Sequence, residues 1–422
     1  MISVKGLLRR DNPFDFIVLG FMMKLLGRIA GLFISYQIAD AVFGFISWIL
    51  IIKGFSLIPG RLRFPFIGSY RMLLKFYLFL CIIMIIRGYM IDYNYIWFTT
   101  VGAINYHFFQ PTYIICYLMP FAALIPLRYF NFRIMLSYAV VIVLLNIVLL
   151  YVFRQEVMQA SLYGAMGLEI EEGMITADSL AICSSFAFLA FFYRFLPVKK
   201  WRIALLSIII TFVCMVVGAR RGGTALFSLM LCGALFFYTS TKKGFIKWFS
   251  RFTVVLVVIV AIYYMTQSAM ASFLMERGME DTRTKVEEAM LSQMNTLQLI
   301  FGKGLNGRYY CPLRFDDYLN GWRYVVETGF YNIVLKGGFL MAIVYCLLLF
   351  IPAYKGMFKS KNLFSKAAAF FIFYHLISLK PFGILSFDLS FLHLWMFMVC
   401  CMNNRVRAMS DEEIKQHFFY NV

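Results

Sequence analysis

The chain has 422 residues, of which 62% are hydrophobic and only 14% are charged, and its mean hydropathy is +0.77. About a quarter of the residues of a soluble domain are charged, so this composition excludes an ordinary soluble protein. The net charge of +19 does not indicate a nucleic-acid partner, because the basic residues fall in short clusters between apolar runs. We interpret residues 1–422 as one all-α integral membrane domain.

The apolar runs predict how often the chain crosses the membrane. A run of about 20 residues spans the hydrocarbon core, and about twelve such runs are present. The first is the weakest, because Lys24 and Arg28 fall inside it. The predicted spans are roughly 14–36, 37–54, 72–90, 109–127, 134–153, 178–197, 201–218, 222–240, 252–269, 328–352, 364–379 and 384–402.

The charges of the intervening loops test this map independently, since Lys and Arg collect in cytoplasmic loops. Loops 154–177 and 270–327 contain most of the acidic residues of the loops and are predicted to face outward. Both termini are then predicted to be cytoplasmic. Five loops between the other spans hold basic residues and no acidic one: 53–71, 128–133, 194–202, 241–251 and 353–366.

The nine cysteines lie mostly inside apolar segments, and only Cys311 falls in a clearly polar loop. They form neither a disulfide framework nor the Cys/His spacing of a metal site. We therefore predict no metal and no other cofactor.

One outward turn breaks the charge rule, because Arg220 and Arg221 stand next to each other between glycines with no acidic neighbour. Charge near a membrane span is costly and requires a reason. The two arginines either reach to the outer lipid headgroups or form an anion site, for which guanidinium groups are well suited. We favour the anion site.

The loop 270–327 is the only long polar stretch and is predicted to be the working surface. Within it, Thr284 to Glu287 fits a capping box, followed by apolar residues at helical spacing, so a short amphipathic helix is expected. Arg283 would lie at the N-terminus of this helix, where it is suited to a phosphate oxygen. The alternative is an ordinary pair of Arg283 with Glu287 one turn later.

A tight loop with three glycines follows at residues 301–308, and its amides could approach a ligand. It is not a P-loop, because no strand precedes it and the Gly-Lys-Ser/Thr ending is missing. The next stretch is rich in aromatic and charged residues, which suits a sugar, since aromatic rings stack on pyranose faces. The candidate sugar-binding residues are Tyr309, Tyr310, Asp316, Asp317, Trp322 and Arg323.

The outer loop ends at Glu327, just before the chain re-enters the membrane. A carboxylate beside several arginines can act as a general base. It can equally form a plain ion pair with Arg323, and the sequence leaves both interpretations open. Lys336 falls inside the following apolar span and is expected to face the interior of the helix bundle.

Taken in order, the motifs of residues 200–350 resemble the O-antigen polymerase and ligase family, which comprises the Wzy-type polymerases and related ligases. An arginine-bearing turn at 218–223 is followed by two spans and a large outer loop. That loop contains Arg283 at the start of a helix, then Gly302 and Gly304, and leads to a re-entry motif that ends at Gly338. The first half of the chain contributes only topology to the resemblance.

The resemblance implies a GT-C-like protein of the bacterial inner membrane with a periplasmic working loop. It implies polymerisation of undecaprenyl-diphosphate-linked oligosaccharide repeat units into a surface polysaccharide, without a metal or a nucleotide sugar. Membrane lipids surround the protein, and a chain-length regulator protein is a further implied partner. The resemblance implies that Arg220 or Arg221 and Arg283 hold the diphosphate, and we add Lys303 and Arg308 as candidate diphosphate-binding residues. As catalytic residues we propose Arg283 and, as the base, Glu327.

Three other functions stay open. A ligase would transfer the finished glycan to a lipid or protein acceptor, but ligases carry a His-Asn pair where this chain has Glu327 and Thr328, which favours a polymerase. A flippase for the same lipid-linked sugar would use similar cations, although transporters usually show internal repeats and short loops. A purely structural partner of an envelope complex would tolerate substitutions in the outer loop.

Overall fold

A computed structural model describes residues 12–31, 36–60, 62–90, 114–132, 138, 144–145, 147–149, 151–152, 188–217, 221–245, 248–249, 252, 282–312, 321–380, 383 and 385–420. This part of the chain is mostly helical, as predicted. The helices discussed below are α1 (Pro13–Gly31), α2 (Tyr36–Ser56), α3 (Ser69–Met90), α4 (Ile114–Tyr117), α5 (Val198–Val217), α6 (Arg221–Ser240), α7 (Thr282–Ser292), α8 (Thr296–Phe301), α9 (Gly329–Phe358), α10 (Leu363–Ser378), α11 (Leu389–Met402), α12 (Asn404–Ala408) and α13 (Asp411–Lys415).

Three helices of the described chain are long and apolar enough to cross a membrane: Ser69–Gly88, Gly222–Ser240 and Gly329–Phe358. Shorter apolar helices accompany them at Val42–Ser56, Leu363–Ser378 and Leu389–Met402. Helix α3 exposes Phe79, Ile82 and Ile86 on its outer face, as expected of a helix that contacts lipid. These features fit a membrane protein.

Two predicted spans differ from a continuous α-helix in their described parts. After α4 the chain continues as 3-10 turns at Met119–Leu124 and Leu127–Tyr129, and Phe188–Phe195 is also a 3-10 segment. Pro120 lies in the first turn of one of these segments, and proline cannot donate the backbone hydrogen bond that an α-helix interior needs. The predicted spans 109–127 and 178–197 are therefore irregular where they are described.

Helix α9 is broken at Gly338, where the backbone adopts φ 77° and ψ 174°. Gly302, which ends α8, has nearly the same conformation, with φ 74° and ψ 175°. This region of the backbone is open essentially only to glycine. The two glycines also face each other, because a Cβ at Gly302 would overlap the Lys336 carbonyl and a Cβ at Gly338 would overlap the Ile300 carbonyl. The end of α8 at Gly302 and the break of α9 at Gly338 thus cross each other at van der Waals contact.

The backbone amides of this crossing satisfy the carbonyls that the break leaves free. Lys303 N donates to Leu335 O at 2.8 Å, and Gly304 N donates to Lys336 O at 2.9 Å. The buried Lys336 side chain returns a bond from Nζ to Gly307 O at 3.1 Å, so it faces the interior as predicted. An unpaired carbonyl at this depth would cost several kcal/mol, on the order of 2–7.

The same glycine segment is fixed to α3 on its other side. Leu305 N donates to Met84 O at 3.0 Å, and the Arg87 guanidinium donates to Gly302 O at 2.9 Å. Gly88 and Gly304 permit this approach, since a Cβ on either would overlap the backbone of the other segment. The segment 302–305 is therefore held between α3 and α9.

The C-terminal helices α12 and α13 lie beside the N-terminus of α10. Asn362 caps α10 and also donates to Val406 O at 2.7 Å, while Asp411 accepts from Leu363 N at 2.7 Å. Arg194 pairs with Asp411 at 2.8 Å and with the neighbouring Glu412. Segments that the charge pattern assigns to one side of the membrane are thus in contact at this end of α10.

The described part of the outer loop contains α7, α8 and a two-stranded antiparallel ladder, β1 (Tyr309–Tyr310) and β2 (Trp322–Arg323). The predicted amphipathic helix is present, but the predicted capping box at Thr284 is wrong, because Thr284 lies inside α7. The capping box belongs to α8, where Asn295 and Gln298 bond reciprocally. The single predicted helix is divided in two at this cap.

We expect Gly302→Ala to destabilise the protein. The new Cβ meets the Lys336 carbonyl and the residue must also hold a positive φ, and overpacking of this kind costs about 1–3 kcal/mol. The matched control is Gly60→Ala, because Gly60 has φ 88° with nothing within 4 Å of its Cβ position. Thermal unfolding in detergent micelles should show a larger loss for Gly302→Ala than for the control. Equal losses would contradict the crossing.

Candidate functional site

A cavity of about 480 Å³ lies where the ends of several helices meet. One part of the lining, the apolar wall, comes mainly from α6. The remaining lining residues, the polar wall, carry charged and hydroxyl groups. The apolar lining residues are Ala225, Leu226, Leu229 and Ile377. The polar lining residues are Arg283, Thr284, Glu287, Thr328 and Lys380.

Three helices contribute residues to this cavity. Ala225 lies on the second turn of α6, Arg283 is the second residue of α7, and Thr328 is the N-cap of α9. The N-terminus of α9 carries a partial positive charge and unpaired N–H groups. It lies beside two cations, Arg283 and Lys380, each of which is paired with a carboxylate.

Arg283 lies at the start of its helix, as predicted, and pairs with Glu327. Its Nε is 3.4 Å from Glu327 Oε2, and the two side chains are 44% and 52% exposed. The sequence left open a pair of Arg283 with Glu287 and a pair of Glu327 with Arg323. In the structure Glu327 contacts Arg283, which lies far earlier in the chain, at the start of α7.

Glu287 is the buried carboxylate of the cavity, with its side chain only 9% exposed. Its Oε1 accepts a hydrogen bond from the Thr328 hydroxyl at 3.0 Å. Its Oε2 lies 3.5 Å from Lys380 Nζ. Both oxygens are thus oriented by groups from other segments of the chain.

Sequence reasoning did not identify Lys380 or the role of Glu287. Lys380 follows α10, and Phe330 N donates to Leu379 O at 3.0 Å, which fixes this point beside the start of α9. The signal was available in the charge pattern, because Lys380 stands in a predicted outward loop where lysine is disfavoured. The buried position of Glu287 had no sequence signal, since it depends on contacts between distant segments.

Several predicted residues lie outside the described part of the chain. These residues are Arg220, Asp316 and Asp317. Arg221 is the first residue of α6, one turn before Ala225 in the cavity lining. The backbone therefore starts the arginine-bearing helix at the cavity.

The glycine segment has a structural role in the described chain. The amides of Lys303, Gly304 and Leu305 donate to carbonyls of α9 and α3, so the expectation that they approach a ligand is not met. Lys303 Nζ donates to Arg308 O at 3.0 Å. Burial and the nearby Arg308 charge lower the pKa of Lys303. Neither side chain is among the residues that line the described cavity.

The β-ladder divides the predicted sugar-binding residues into a buried and an exposed group. Tyr309 is fully buried, its hydroxyl donates to Val325 O at 3.2 Å, and burial raises its pKa. Tyr310 is exposed and contacts Trp322 edge to face at 5.6 Å. The Arg308 guanidinium lies 4.2 Å from the Trp322 ring centroid. Tyr310, Trp322 and Arg308 thus form one aromatic and cationic surface, which we call the ladder surface.

Comparisons of the chain with protein-family models, with curated proteins and with solved structures found no match.

We expect Thr328→Val to lower the free energy of unfolding of the protein. The Thr328 side chain makes no capping bond to α9, so the loss isolates its bond to Glu287. A hydrogen bond to a charged group contributes about 1.5–3 kcal/mol. Thermal unfolding in detergent measures the change, and Thr328→Ser, which keeps the hydroxyl, is the control. If Thr328→Val costs as much in a Glu287→Gln background as in the wild type, the two groups are not coupled.

Proposed function

We propose that the protein polymerises lipid-diphosphate-linked oligosaccharide repeat units by glycosyl transfer, at the outer face of a bacterial inner membrane that it crosses about twelve times. The observation that supports this is the convergence of Arg283, Lys380 and the N-terminus of α9 on one cavity. A diphosphate carries the charge that two cations and a helix N-terminus bind. Its lipid would lie along the apolar wall of α6.

The reaction depends on stabilising the leaving group. When the glycosidic bond to the diphosphate breaks, negative charge builds on the departing oxygen. Donors that are already oriented toward that charge lower the barrier without reorganising, which is commonly the largest catalytic contribution. Arg283 and Lys380 are each paired with a carboxylate at the cavity, so both cations are already near the position of the leaving group before substrate arrives.

The ladder surface supplies a place for the glycan. Trp322, Tyr310 and Arg308 present aromatic and planar groups outside the cavity, and such faces stack on pyranose C–H surfaces. Gln293 holds the Tyr310 backbone through two hydrogen bonds, each 2.8 Å long. The ladder surface is therefore fixed to α7, which carries Arg283.

One observation favours a flippase as the second candidate. Transporters often use broken helices whose half-helix N-terminus points at an anionic substrate, and the first half of α9, ending at the Gly338 break, begins at the cavity. The break is locked by the 302–305 segment, which favours a fixed catalytic cavity over alternating access.

The test is incubation of the purified protein with a synthetic polyprenyl-diphosphate repeat unit and no nucleotide sugar. We expect ladders of added repeats, resolved by gel or mass. Arg283→Ala and Lys380→Met should each slow the reaction on the order of a hundredfold, by analogy with other preorganised donors. Arg194→Ala is the matched control, because Arg194 pairs with Asp411 and Glu412 at the opposite end of α10.

The outcomes separate the candidates. Intact substrate that changes leaflet in proteoliposomes, without bond formation, would identify a flippase. Transfer of a finished glycan to a lipid acceptor, without lengthening, would identify a ligase. Full polymer from Arg283→Ala and Lys380→Met would refute the role of the cavity.

We expect Trp322→Ala to shorten the polymer without abolishing the first transfer. Stacking on an aromatic ring holds the growing glycan, and Trp322 lies outside the cavity where the bond forms. The measurement is the length distribution of the products at equal turnover. Phe358→Ala, which removes another exposed aromatic ring, is the control, and an unchanged distribution for Trp322→Ala would contradict the role of the ladder surface.

A further inference from the structure

We infer that Glu287, rather than Glu327, accepts the proton of the attacking sugar hydroxyl; this inference rests on the proposed function. The amino-acid sequence contains both carboxylates in the loop 270–327, but its pattern indicated only Glu327 as a base. The structure distinguishes them by burial, by position relative to the cavity and by the groups that hold them.

Glu287 has the placement that a general base requires. It lines the cavity, whereas Glu327 is not among the lining residues of the described chain. Thr328 and Lys380 hold its two oxygens at 3.0 and 3.5 Å, so the carboxylate has one orientation before substrate binds. The bond from Thr328 also shows that an aliphatic hydroxyl reaches this carboxylate at hydrogen-bond distance, as the acceptor hydroxyl must.

Glu327 has the placement of a temporary partner for Arg283. The pair is about half exposed on both sides and 3.4 Å long, and exposed ion pairs of this kind are weak. A diphosphate that enters the cavity therefore displaces Glu327 from Arg283 easily. Glu327 acts as a positioning residue that keeps the guanidinium aimed at the cavity until the donor arrives.

The spacing along α7 separates the two sides of the reaction. Arg283 and Glu287 are four residues apart, so they lie on one face of the helix with Cβ atoms about 6 Å apart. In the proposed reaction the diphosphate would contact Arg283 and the acceptor hydroxyl would contact Glu287. The leaving group and the nucleophile would then lie on opposite faces of the sugar, as inversion requires.

The acceptor oxygen forms a bond to the anomeric carbon, and the bond from that carbon to the diphosphate oxygen breaks with its electron pair left on the diphosphate. The acceptor proton moves to a Glu287 oxygen. Because the protonated Glu287 no longer neutralises Lys380, the lysine charge becomes available to the departing diphosphate.

The test compares Glu287→Gln with Glu327→Gln in the purified full-length protein, with the synthetic polyprenyl-diphosphate repeat unit as substrate. We expect Glu287→Gln to lower kcat about a hundredfold or more, the range of a lost general base, with KM little changed. We expect Glu327→Gln to change KM while kcat stays near that of the wild type. Loss of kcat in Glu327→Gln with retention in Glu287→Gln would overturn the inference and leave the polymerase intact. If the wild type itself joins no repeat units, the proposed function fails, whichever carboxylate is involved.

Discussion

The break of α9 at Gly338 is the constraint on which the arrangement of the cavity and the ladder depends. A helix interrupted inside an apolar span leaves backbone carbonyls that neither lipid nor side chains of this composition can satisfy. Here the amides of Lys303 and Gly304 satisfy them. The loop can approach α9 so closely only because both segments have glycine where they cross, at Gly302 and Gly338.

That crossing determines where the functional groups lie. Because 302–305 is held between α3 and α9, the ladder that follows and α8 that precedes it are fixed relative to the membrane helices. Gln293, after the end of α7, extends this rigidity to the ladder surface through its two bonds to Tyr310. The cavity then receives α7 from one side and the start of α9 from the other. The segment 302–305, which the sequence predicts to approach a ligand, therefore supports the site structurally.

Local patterns in the sequence predicted local structure and could not predict contacts between distant segments. Helical periodicity placed Arg283 at a helix start, and hydropathy located α3, α6 and α9, because both signals are carried by neighbouring residues. The partner of Arg283 is Glu327, which depends on how the chain between them folds back. Glu287 reads as an ordinary surface residue of an amphipathic helix until Thr328 and Lys380 are brought to it.

The composition of the cavity walls bears on which donor it can accept. Ala225, Leu226 and Leu229 follow one another down the start of α6, so the apolar wall runs from the charged helix ends toward the hydrophobic length of the helix. A water-soluble nucleotide sugar would bind the charged wall and leave this apolar wall exposed. The proposed lipid-linked diphosphate would cover both, because its phosphates would meet the cations while its hydrocarbon would remove the apolar wall from water, at about 25 cal/mol for each Å² covered. The two walls together therefore favour the proposed amphiphilic donor, and the charged wall alone would not.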